Sequence, residues 1–481
     1  MVTLLGAVFI PLAIFCFLAQ PFYLLPLLLI SSLFEVASVF NGTIGNFIFG
    51  LSPFYFVELL IAIRLVLILR KNGSVLPPKN SPARPLAILL VWFWGWSVIS
   101  SFVMPRLFSG ISVYSPREGL DIELTALAPL TWSLSNLAQA GYLTLNVAVV
   151  FYAVLSVKGV TKSKVLSNAL YLAVCIASIA AVIQIFAATL GLSYPYDIFN
   201  NNPAYAQGFE EDIGNYHRIT STFGEPSGAG SFLAAVAIGL LAQYFSQKHS
   251  LTCLLYFFVV SLLLLATTAT TGYAEFCIAS ILLIAYWYLF RIKKEQRRSR
   301  SKVWLLVAGL VGVAGVIIHY NPLFLETMSA VTIEKSDSLS FLHRLTSDAY
   351  ALLIVKDTWG LGVGLGSNRP SSLIPAFLST LGILGTLLFV LIIYRVIRLY
   401  PGKKGPSYLQ LSFWAFLTIL IGGAIGVPDI NRPTLWALFC VAVAQLSAYS
   451  TSYALALKDM QGYVRVPNVS LEGDTGITPA N

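Results

Sequence analysis

The chain has 481 residues, of which 57% are hydrophobic and 11% are charged, and its mean hydropathy is +0.79. Soluble domains typically carry about 25% charged residues, so this composition excludes an ordinary soluble protein and indicates a polytopic membrane protein. The net charge of +9 does not indicate nucleic-acid binding, because the basic residues lie in short loops between apolar runs, where they mark membrane topology.

Apolar runs follow one another along almost the whole chain. Residues 1–40 hold one or two of them, interrupted by Pro21 and Pro26, and the first is expected to be a retained span rather than a signal peptide. The other spans are predicted at 52–70, 85–104, 132–157, 166–191, 229–246, 251–267, 274–290, 303–319, 376–397, 408–427 and 434–450. Because a spanning helix needs roughly 20 apolar residues, the runs predict an all-α polytopic integral membrane protein with about 12–13 transmembrane helices in one domain, residues 1–450.

The loops between the spans alternate in charge. The basic loops are predicted to lie in the cytoplasm by the positive-inside rule, and they are 71–84, 158–164, 291–302 and 395–404. The alternate connections are predicted to face outward, and they are 105–131, 192–228, 268–273, 320–375 and 428–433. The tail, residues 451–481, is predicted to be cytoplasmic and partly disordered. The orientation of the N-terminus stays open, because it depends on whether residues 1–40 hold one span or two.

The stretch HRITSTFGEPSGAGSF, residues 217–232, stands at the entrance of a predicted span. In it, Arg218 and Glu225 accompany a turn made of Gly224 and Pro226. The N–H groups at a helix start favour an anion, and a guanidinium beside them would complete a phosphate or pyrophosphate pocket at the outer membrane edge. The alternative is that Arg218 pairs with Glu225 or with lipid headgroups. Taken alone, the residues favour this alternative.

The large outward loop, 320–375, is long enough to hold its own structure. Apolar residues fall at helical spacing in it and predict an amphipathic helix near the outer membrane face. These residues are Phe341, Leu342, Leu345, Ala349, Leu352 and Leu353. Arg344 lies on this helix, where it either binds an anion or pairs with Asp348 four residues later. His343 by itself is typical of a plain interfacial histidine.

A glycine-rich stretch, WGLGVGLGSNRPSS, follows the predicted helix. Glycines at this density do not continue a helix, and the exposed N–H groups of such a turn could bind an anion beside Arg369. The stretch is not a dinucleotide fingerprint, because no βαβ unit surrounds it in an all-helical chain.

The remaining charged residues and the cysteines indicate no specific function. Glu275 is either a helix-start charge or a pocket residue, while Asp429 and Arg432 are most simply a mutual pair, although both could line the same cavity. Few ionisable residues fall at mid-span, which argues against a proton-coupled transporter. The five cysteines lie in apolar runs without CxxC or Cys/His spacing, so we expect packing roles rather than disulfides or a metal site. No cofactor is expected.

Three motifs in this order resemble those of the O-antigen polymerase and ligase superfamily. They are RITSTFGEPSGAGSFL at a span start, an arginine-bearing helix in a long outward loop, and GVGLGSNRPSSL followed by LSTLGILG at the next span. The resemblance implies a fold similar to that of the GT-C glycosyltransferases. It also implies a metal-independent membrane glycosyltransferase that acts on undecaprenyl-diphosphate-linked oligosaccharide at the periplasmic face of the bacterial inner membrane.

The resemblance also implies roles for single residues. Arg218 and Arg344 would hold the carrier's diphosphate, and Arg369 belongs to a motif found in some capsule and exopolysaccharide members. Arg432 is a candidate for a further cation in the substrate site, and His343, next to Arg344, joins the substrate-binding set. Glu225, the best-placed carboxylate of these motifs, would be the general base.

Departures from the ligase pattern favour a polymerase of O-antigen, capsule or exopolysaccharide. Ligases carry a Ser-Arg pair where this chain has TTATTGYA, and a His-Asn pair where it has SSLIPAFLSTLGILG; GEPS replaces the ligase-like GNPN. The alternatives are an O-antigen ligase, a polysaccharide flippase or transporter, and a non-catalytic partner of a synthesis complex. The expected partners are the lipid bilayer, a chain-length regulator and a flippase, and no nucleic acid.

Overall fold

The computed structural model of the chain describes residues 1–44, 47–114, 127–203, 205, 212–213, 216–246, 250–289, 339–402 and 405–464. The predicted span at 303–319, the basic loop at 291–302 and the last part of the tail lie outside these residues. The helices are α1 (Leu4–Ala19), α2 (Leu24–Ser31), α3 (Pro53–Asn72), α4 (Arg84–Leu107), α5 (Leu134–Ser156), α6 (Gly159–Leu190), α7 (Tyr196–Phe199), α8 (Pro226–Ser246), α9 (Leu251–Ala266), α10 (Thr270–Leu289), α11 (Leu339–Asp357), α12 (Leu373–Leu399), α13 (Ser407–Gly426) and α14 (Pro433–Val464), with a 3₁₀ turn at Pro21–Tyr23.

Eight of these helices are long and apolar enough to cross a membrane, counted over the described residues. They are α4, α5, α6, α8, α10, α12, α13 and α14. The prediction of a helical, polytopic membrane protein is therefore confirmed. The predicted spans at 52–70 and 251–267 are also helices, but α3 carries Glu58, Arg64 and Arg70, and α9 has only 16 residues. The total of about 12–13 spans stays a prediction.

Among the described residues, three short pairs of antiparallel strands interrupt the helices, and the sequence did not predict them. They are β1 (Phe40–Ile44) with β2 (Phe47–Leu51), β3 (Ser112–Tyr114) with β4 (Leu127–Pro129), and β5 (Asp212–Ile213) with β6 (Tyr216–His217). At the other end of the chain, α14 continues to Val464, so the backbone of residues 451–464 is helical beyond the predicted domain end at 450.

Helix α3 illustrates how the local sequence sets the limits of a helix. The Ser52 side chain accepts a hydrogen bond from the N–H of Tyr55, and Pro53 occupies the first turn, where no N–H is needed. The helix ends at Gly73, which has a left-handed φ of 71°. Arg70 and Lys71 lie in its last turn, where cations interact favourably with the helix dipole.

Helix α8 is the most buried of the eight long apolar helices, and it packs between α9, α10 and α13. Glycines allow this close packing. A Cβ on Gly272 would lie 2.8 Å from the backbone carbon of Gly230, and a Cβ on Gly239 would lie 2.5 Å from the carbonyl oxygen of Leu411. Small residues let helix backbones approach in this way within a membrane. The start of α8 is therefore packed directly against α10.

Helix α12 is broken at Gly382, whose φ of 70° and ψ of −172° are not helical. The glycine-rich stretch before α12 supplies the hydrogen bonds that the break removes: Val363 N–H donates to Ser379 O and Ile383 N–H donates to Gly360 O, both at 2.8 Å. Within a membrane protein, an irregular backbone needs such internal partners. The glycine-rich stretch and the LSTLGILG motif are thus two halves of one structural unit.

The predicted amphipathic helix is present as α11. Its predicted apolar side chains are exposed, and they include Phe341, Leu342, Leu345, Leu352 and Leu353. The opposite side, with Ser347, Ala351 and Ile354, is buried against the protein. An exposed apolar face of this size suits contact with lipid, and it turns the polar residues of the helix toward the interior.

Candidate functional site

A cavity of about 670 Å³ opens among the helix ends. The charged side chains that line it are Glu35, Glu225, Arg344, Arg369, Asp429 and Arg432. Four of the six predicted site residues therefore lie around one space, although they come from four separate stretches of the chain. The other two, Arg218 and His343, are not among the lining residues.

The cavity lies at the end of the helix bundle that is opposite to the described basic loops, 71–84 and 158–164. It contacts the starts of α3, α5, α12 and α14 and the end of α13. The other ends of α3, α5 and α12 carry Arg70, Lys158 and Arg398 or lead directly into them. This is the end that the positive-inside rule predicts to face outward.

Arg344 is positioned by its neighbour Asp348, which does not pair with it. The Asp348 carboxylate accepts hydrogen bonds from the N–H of Ser371 at 2.7 Å and from the N–H and hydroxyl of Ser372 at 3.1 and 2.6 Å. The hydroxyls of Ser347 and Ser371 are also 2.8 Å apart. The alternative of an Arg344–Asp348 pair is therefore wrong, and Asp348 instead fastens α11 to the start of α12.

The guanidinium of Arg344 lies beside Gly426, the last residue of α13. A Cβ on Gly426 would be 3.2 Å from an Arg344 Nη atom, so the glycine leaves space for the cation. The carbonyl end of a helix is also favourable to positive charge. Within the described part of the chain, no carboxylate forms an ion pair with Arg344. Its charge is available to the cavity.

Arg369 has a fixed backbone and an exposed side chain. Its N–H donates to Tyr114 O at 3.1 Å, and the preceding Asn368 accepts from the N–H of Tyr114 at 3.0 Å. Asn368 also donates to the Ser379 hydroxyl at 3.0 Å. As with Arg344, no described carboxylate pairs with Arg369. The cavity therefore has two guanidiniums whose charge is not neutralised by a described partner.

The glycine-rich turn does not provide anion-binding N–H groups at residues 360–364, so that part of the prediction is wrong. Gly364 N–H donates to Thr380 O at 2.8 Å, and Gly362 N–H donates to the Thr358 hydroxyl at 3.0 Å. The left-handed φ values of these glycines allow the turn to pack this closely. The turn positions Arg369 rather than contacting an anion through those groups.

Arg432 is already bound within the protein. Its Nε lies 3.3 Å from a Glu35 carboxylate oxygen, one Nη donates to the Ser231 hydroxyl at 3.1 Å, and the other donates to Gly228 O at 3.2 Å. The expected ion pair with Asp429 is wrong, because the guanidinium pairs with Glu35 and no ion pair joins these two described residues. The Asp429 carboxylate accepts from the N–H of Asn431 at 2.9 Å. Arg432 therefore joins the Glu35 segment to the first turns of α8.

The segment around Arg218 is a buried loop that leads into α8. Arg218 donates from Nε to the Thr268 hydroxyl at 3.2 Å and from an Nη to Thr268 O at 3.4 Å. Gln184 accepts from the N–H groups of Thr220 and Ser221 at 3.0 and 2.8 Å and so pins the loop to α6. The polar character of RITSTFGEPS thus has a structural cause, since irregular backbone near a membrane requires partners.

Glu225 is exposed at the start of α8 and lines the cavity. Its carboxylate accepts from the Ser227 hydroxyl at 3.0 Å. The alternative of an Arg218–Glu225 pair is wrong, because no ion pair joins these two described residues. His343 lies next to Arg344 on α11 and is half-buried. The catalytic and binding roles of Arg218, Glu225 and His343 stay predictions.

Sequence reasoning missed Glu35 and the aromatic side of the cavity. Tyr55, Tyr142 and Tyr205 line this side, and the rings of Tyr55 and Tyr142 stack with centroids 4.0 Å apart. A signal for Glu35 was present, because it is the only acidic residue in the first 57 and lies within an apolar run. No comparable signal marked the tyrosines in a chain with 23 of them.

Comparison with protein-family models gives no match, and a search of curated proteins finds no similar chain. The resemblance to the O-antigen polymerase and ligase superfamily therefore rests on the motifs and their order alone.

Proposed function

We propose that this chain is a membrane glycosyltransferase that polymerises a bacterial polysaccharide. It would move a growing glycan from undecaprenyl diphosphate to a lipid-linked repeat unit at the periplasmic face of the inner membrane. The observation that carries the proposal is the cavity into which Arg344 and Arg369 bring two guanidiniums without a described carboxylate partner. Arginine is well suited to diphosphate, because its planar fork donates two parallel hydrogen bonds to phosphate oxygens.

The chemistry requires stabilisation of a leaving group. A hydroxyl oxygen of the acceptor sugar forms a bond to the anomeric carbon of the donor, and the bond from that carbon to the diphosphate oxygen breaks. The electron pair leaves with the diphosphate, and the hydroxyl proton passes to a base. Fixed cations at the developing charge lower the barrier. Arg344 and Arg369 would supply them, with Arg218 as a further predicted ligand of the carrier.

Glu225 is the predicted base. Its carboxylate is exposed at the cavity, so it can reach a hydroxyl of a bound sugar. Arg432 is less suited to the diphosphate, because Glu35, Ser231 and Gly228 already use its donors. The cavity volume of about 670 Å³ would hold a diphosphate with adjoining sugar and leave the rest of the glycan outside.

The decisive experiment uses purified protein in lipid vesicles and lipid-linked repeat units extracted from a strain that lacks this protein. A ladder of product lengths supports a polymerase, whereas transfer to lipid A core would identify a ligase. The Arg344→Ala/Arg369→Ala double variant should form no ladder, while Arg398→Ala, which changes an exposed arginine at the opposite helix end, should form one. A full ladder from the double variant would refute the proposed site.

Glu225→Gln tests the base in the same assay. We expect a rate lowered by about 10²-fold or more, because a positioned base typically contributes that much. Glu35→Gln is a poor control because it also breaks an ion pair, so Asp357→Asn, an exposed carboxylate at the end of α11, serves instead. An unchanged rate for Glu225→Gln would reduce Glu225 to a helix-start residue.

A second candidate function, a polysaccharide flippase or transporter, is favoured by one observation. Glu58 and Glu275 are fully buried in α3 and α10, and their carboxylate oxygens have no hydrogen-bond partner within the described residues. Buried carboxyl groups inside a membrane are typical of proton pathways. A transporter would move lipid-linked glycan across sealed vesicles without a ladder, and Glu58→Gln or Glu275→Gln would abolish that movement.

A further inference from the structure

The cavity has an anionic and aromatic side in addition to its arginines. Asp429 lies there in the connection between α13 and α14, and it is half-buried. It accepts a hydrogen bond from the N–H of Asn431, and no described cation forms an ion pair with it. Arg432, the nearest arginine in the sequence, is bound to Glu35 instead. The carboxylate of Asp429 therefore retains acceptor capacity toward the cavity.

Asn431 holds this connection rigidly. Its side-chain amide donates to Gln139 at 3.0 Å (backbone oxygen) and 2.7 Å (side-chain oxygen). Its amide oxygen accepts from Asn146 at 3.0 Å, and its carbonyl accepts from the hydroxyl of Tyr55 at 3.1 Å. A side chain in a connection with this many buried hydrogen bonds is held at a defined position. Asp429 is thus preorganised rather than free to fold away.

Three tyrosines surround the same region. The hydroxyl of Tyr55 is used by Asn431, whereas those of Tyr142 and Tyr205 have no hydrogen-bond partner among the described residues. Burial raises the pKa of the Tyr205 phenol, and the nearby carboxylate of Asp429 raises it further. Tyr205 therefore stays protonated near neutral pH and can donate a hydrogen bond. The guanidinium of Arg369 lowers the pKa of the same phenol, so both a carboxylate and a guanidinium of the cavity act on Tyr205.

The carboxylate of Asp429 and the tyrosines beside it indicate which kind of ligand can bind at this side of the cavity. A carboxylate repels phosphate and other anions, so the diphosphate is excluded from this side. An apolar ligand would leave Asp429 and two hydroxyls without partners, at a substantial cost. An uncharged, hydroxyl-rich ring meets both requirements, because its hydroxyls donate to Asp429 and its C–H face packs on the tyrosine rings.

We propose that Asp429, Tyr142 and Tyr205 form a subsite for an uncharged sugar ring of the lipid-linked glycan, next to the diphosphate bound by Arg344 and Arg369. This inference rests on the proposed function, and it assigns a binding and specificity role to residues that the motifs do not include. Asp429 accepts hydrogen bonds from the sugar, and it discriminates against sugars that carry a carboxylate at that position.

The test compares two probes in binding to the full chain in lipid nanodiscs. One is undecaprenyl diphosphate, and the other is the undecaprenyl-diphosphate-linked repeat unit from a strain that lacks this protein. Asp429→Asn should weaken binding of the sugar-bearing lipid about tenfold, because hydrogen bonds to a charged carboxylate are replaced by weaker ones to a neutral amide, and leave undecaprenyl diphosphate binding unchanged. Tyr205→Phe should act in the same direction. Asp357→Asn is the matched control and should change neither.

The outcomes separate this inference from the function on which it rests. Equal weakening for both probes, or no change for either, would overturn the sugar subsite. Asparagine keeps an acceptor for the N–H of Asn431, so the fold should be retained, and equal melting temperatures would check it. Arg344→Ala should weaken both probes, and unchanged binding of undecaprenyl diphosphate by that variant would refute the diphosphate site whatever Asp429→Asn does.

Discussion

Arg432 and Arg344 line the same cavity, yet their surroundings are opposite. Arg432 is 5% exposed and bonded to Glu35, Ser231 and Gly228, whereas Arg344 is half-buried, lies beside Gly426 and has no described carboxylate partner. A buried guanidinium with three partners holds structure, and a guanidinium without a counter-charge is ready to bind an anion. Residue type and motif alone do not distinguish these two roles.

The largest effect on stability is expected at Arg432. Arg432→Ala leaves the Glu35 carboxylate without its cation. Because the Glu35 side chain is 17% exposed, we expect a cost in the free energy of unfolding near the lower end for buried pairs, about 3 kcal/mol. Thermal unfolding in detergent micelles measures the loss. The double variant Glu35→Gln/Arg432→Met should recover much of it, because no charge is then left unpaired. If Arg432→Ala were as stable as the wild type, Arg432 would not have the structural role that distinguishes it from Arg344.

Arg344→Ala should show the reverse pattern. The loss of one cation at the leaving group is expected to lower the polymerisation rate about 10²–10³-fold, with an unchanged melting temperature. Initial rates with lipid-linked repeat units measure the first quantity, and the same melting experiment measures the second. A large fall in melting temperature, with a normal rate for the protein that remains folded, would show that Arg344 has a structural role instead.

Asp348 is expected to affect both the stability and the rate, because it holds the helix that carries Arg344. Asp348→Ala removes the acceptor for Ser371 and Ser372 and should cost about 1–3 kcal/mol in the free energy of unfolding. It should also lower the rate, since Arg344 is no longer held over the cavity. Asp348→Asn keeps one acceptor oxygen, so its stability and its rate should lie between those of Asp348→Ala and the wild type. An effect on rate without an effect on stability would contradict this role.

The smallest effect on the polymerisation rate is expected at Gly426. A methyl group there would lie 3.2 Å from the Arg344 guanidinium, so Gly426→Ala should displace it by a few tenths of an ångström. We expect the rate to fall about tenfold at most, because catalytic geometry is sensitive to small shifts, with no loss of stability. Gly423→Ala, on the same helix but against Leu373, is the comparison variant. Equal rate losses for both would indicate a general helix effect.

Much of the helical framework followed from sequence, and so did part of the site. Every predicted span that falls in the described residues is a helix, because length and apolar character are local properties. Glu225, Arg344 and Arg369, which the motifs contain, line one cavity together with Arg432, whereas Arg218 and His343 do not line it. The partners of the charged residues could not be predicted from the sequence. Glu35 and Arg432 are 397 residues apart. Asp348 accepts hydrogen bonds from serines of another motif and does not pair with Arg344, four residues away on the same helix.

The sequence alone therefore determined that the chain crosses a membrane, where its helices run and which polar stretches gather at one end of them. Those properties depend on apolar run length and on the charges of short loops. Only the tertiary structure decided which arginine is bound within the protein and which faces the cavity, and that Asp429 lies among tyrosines. Those properties depend on contacts between distant segments, where a few ångströms separate a partner from a neighbour.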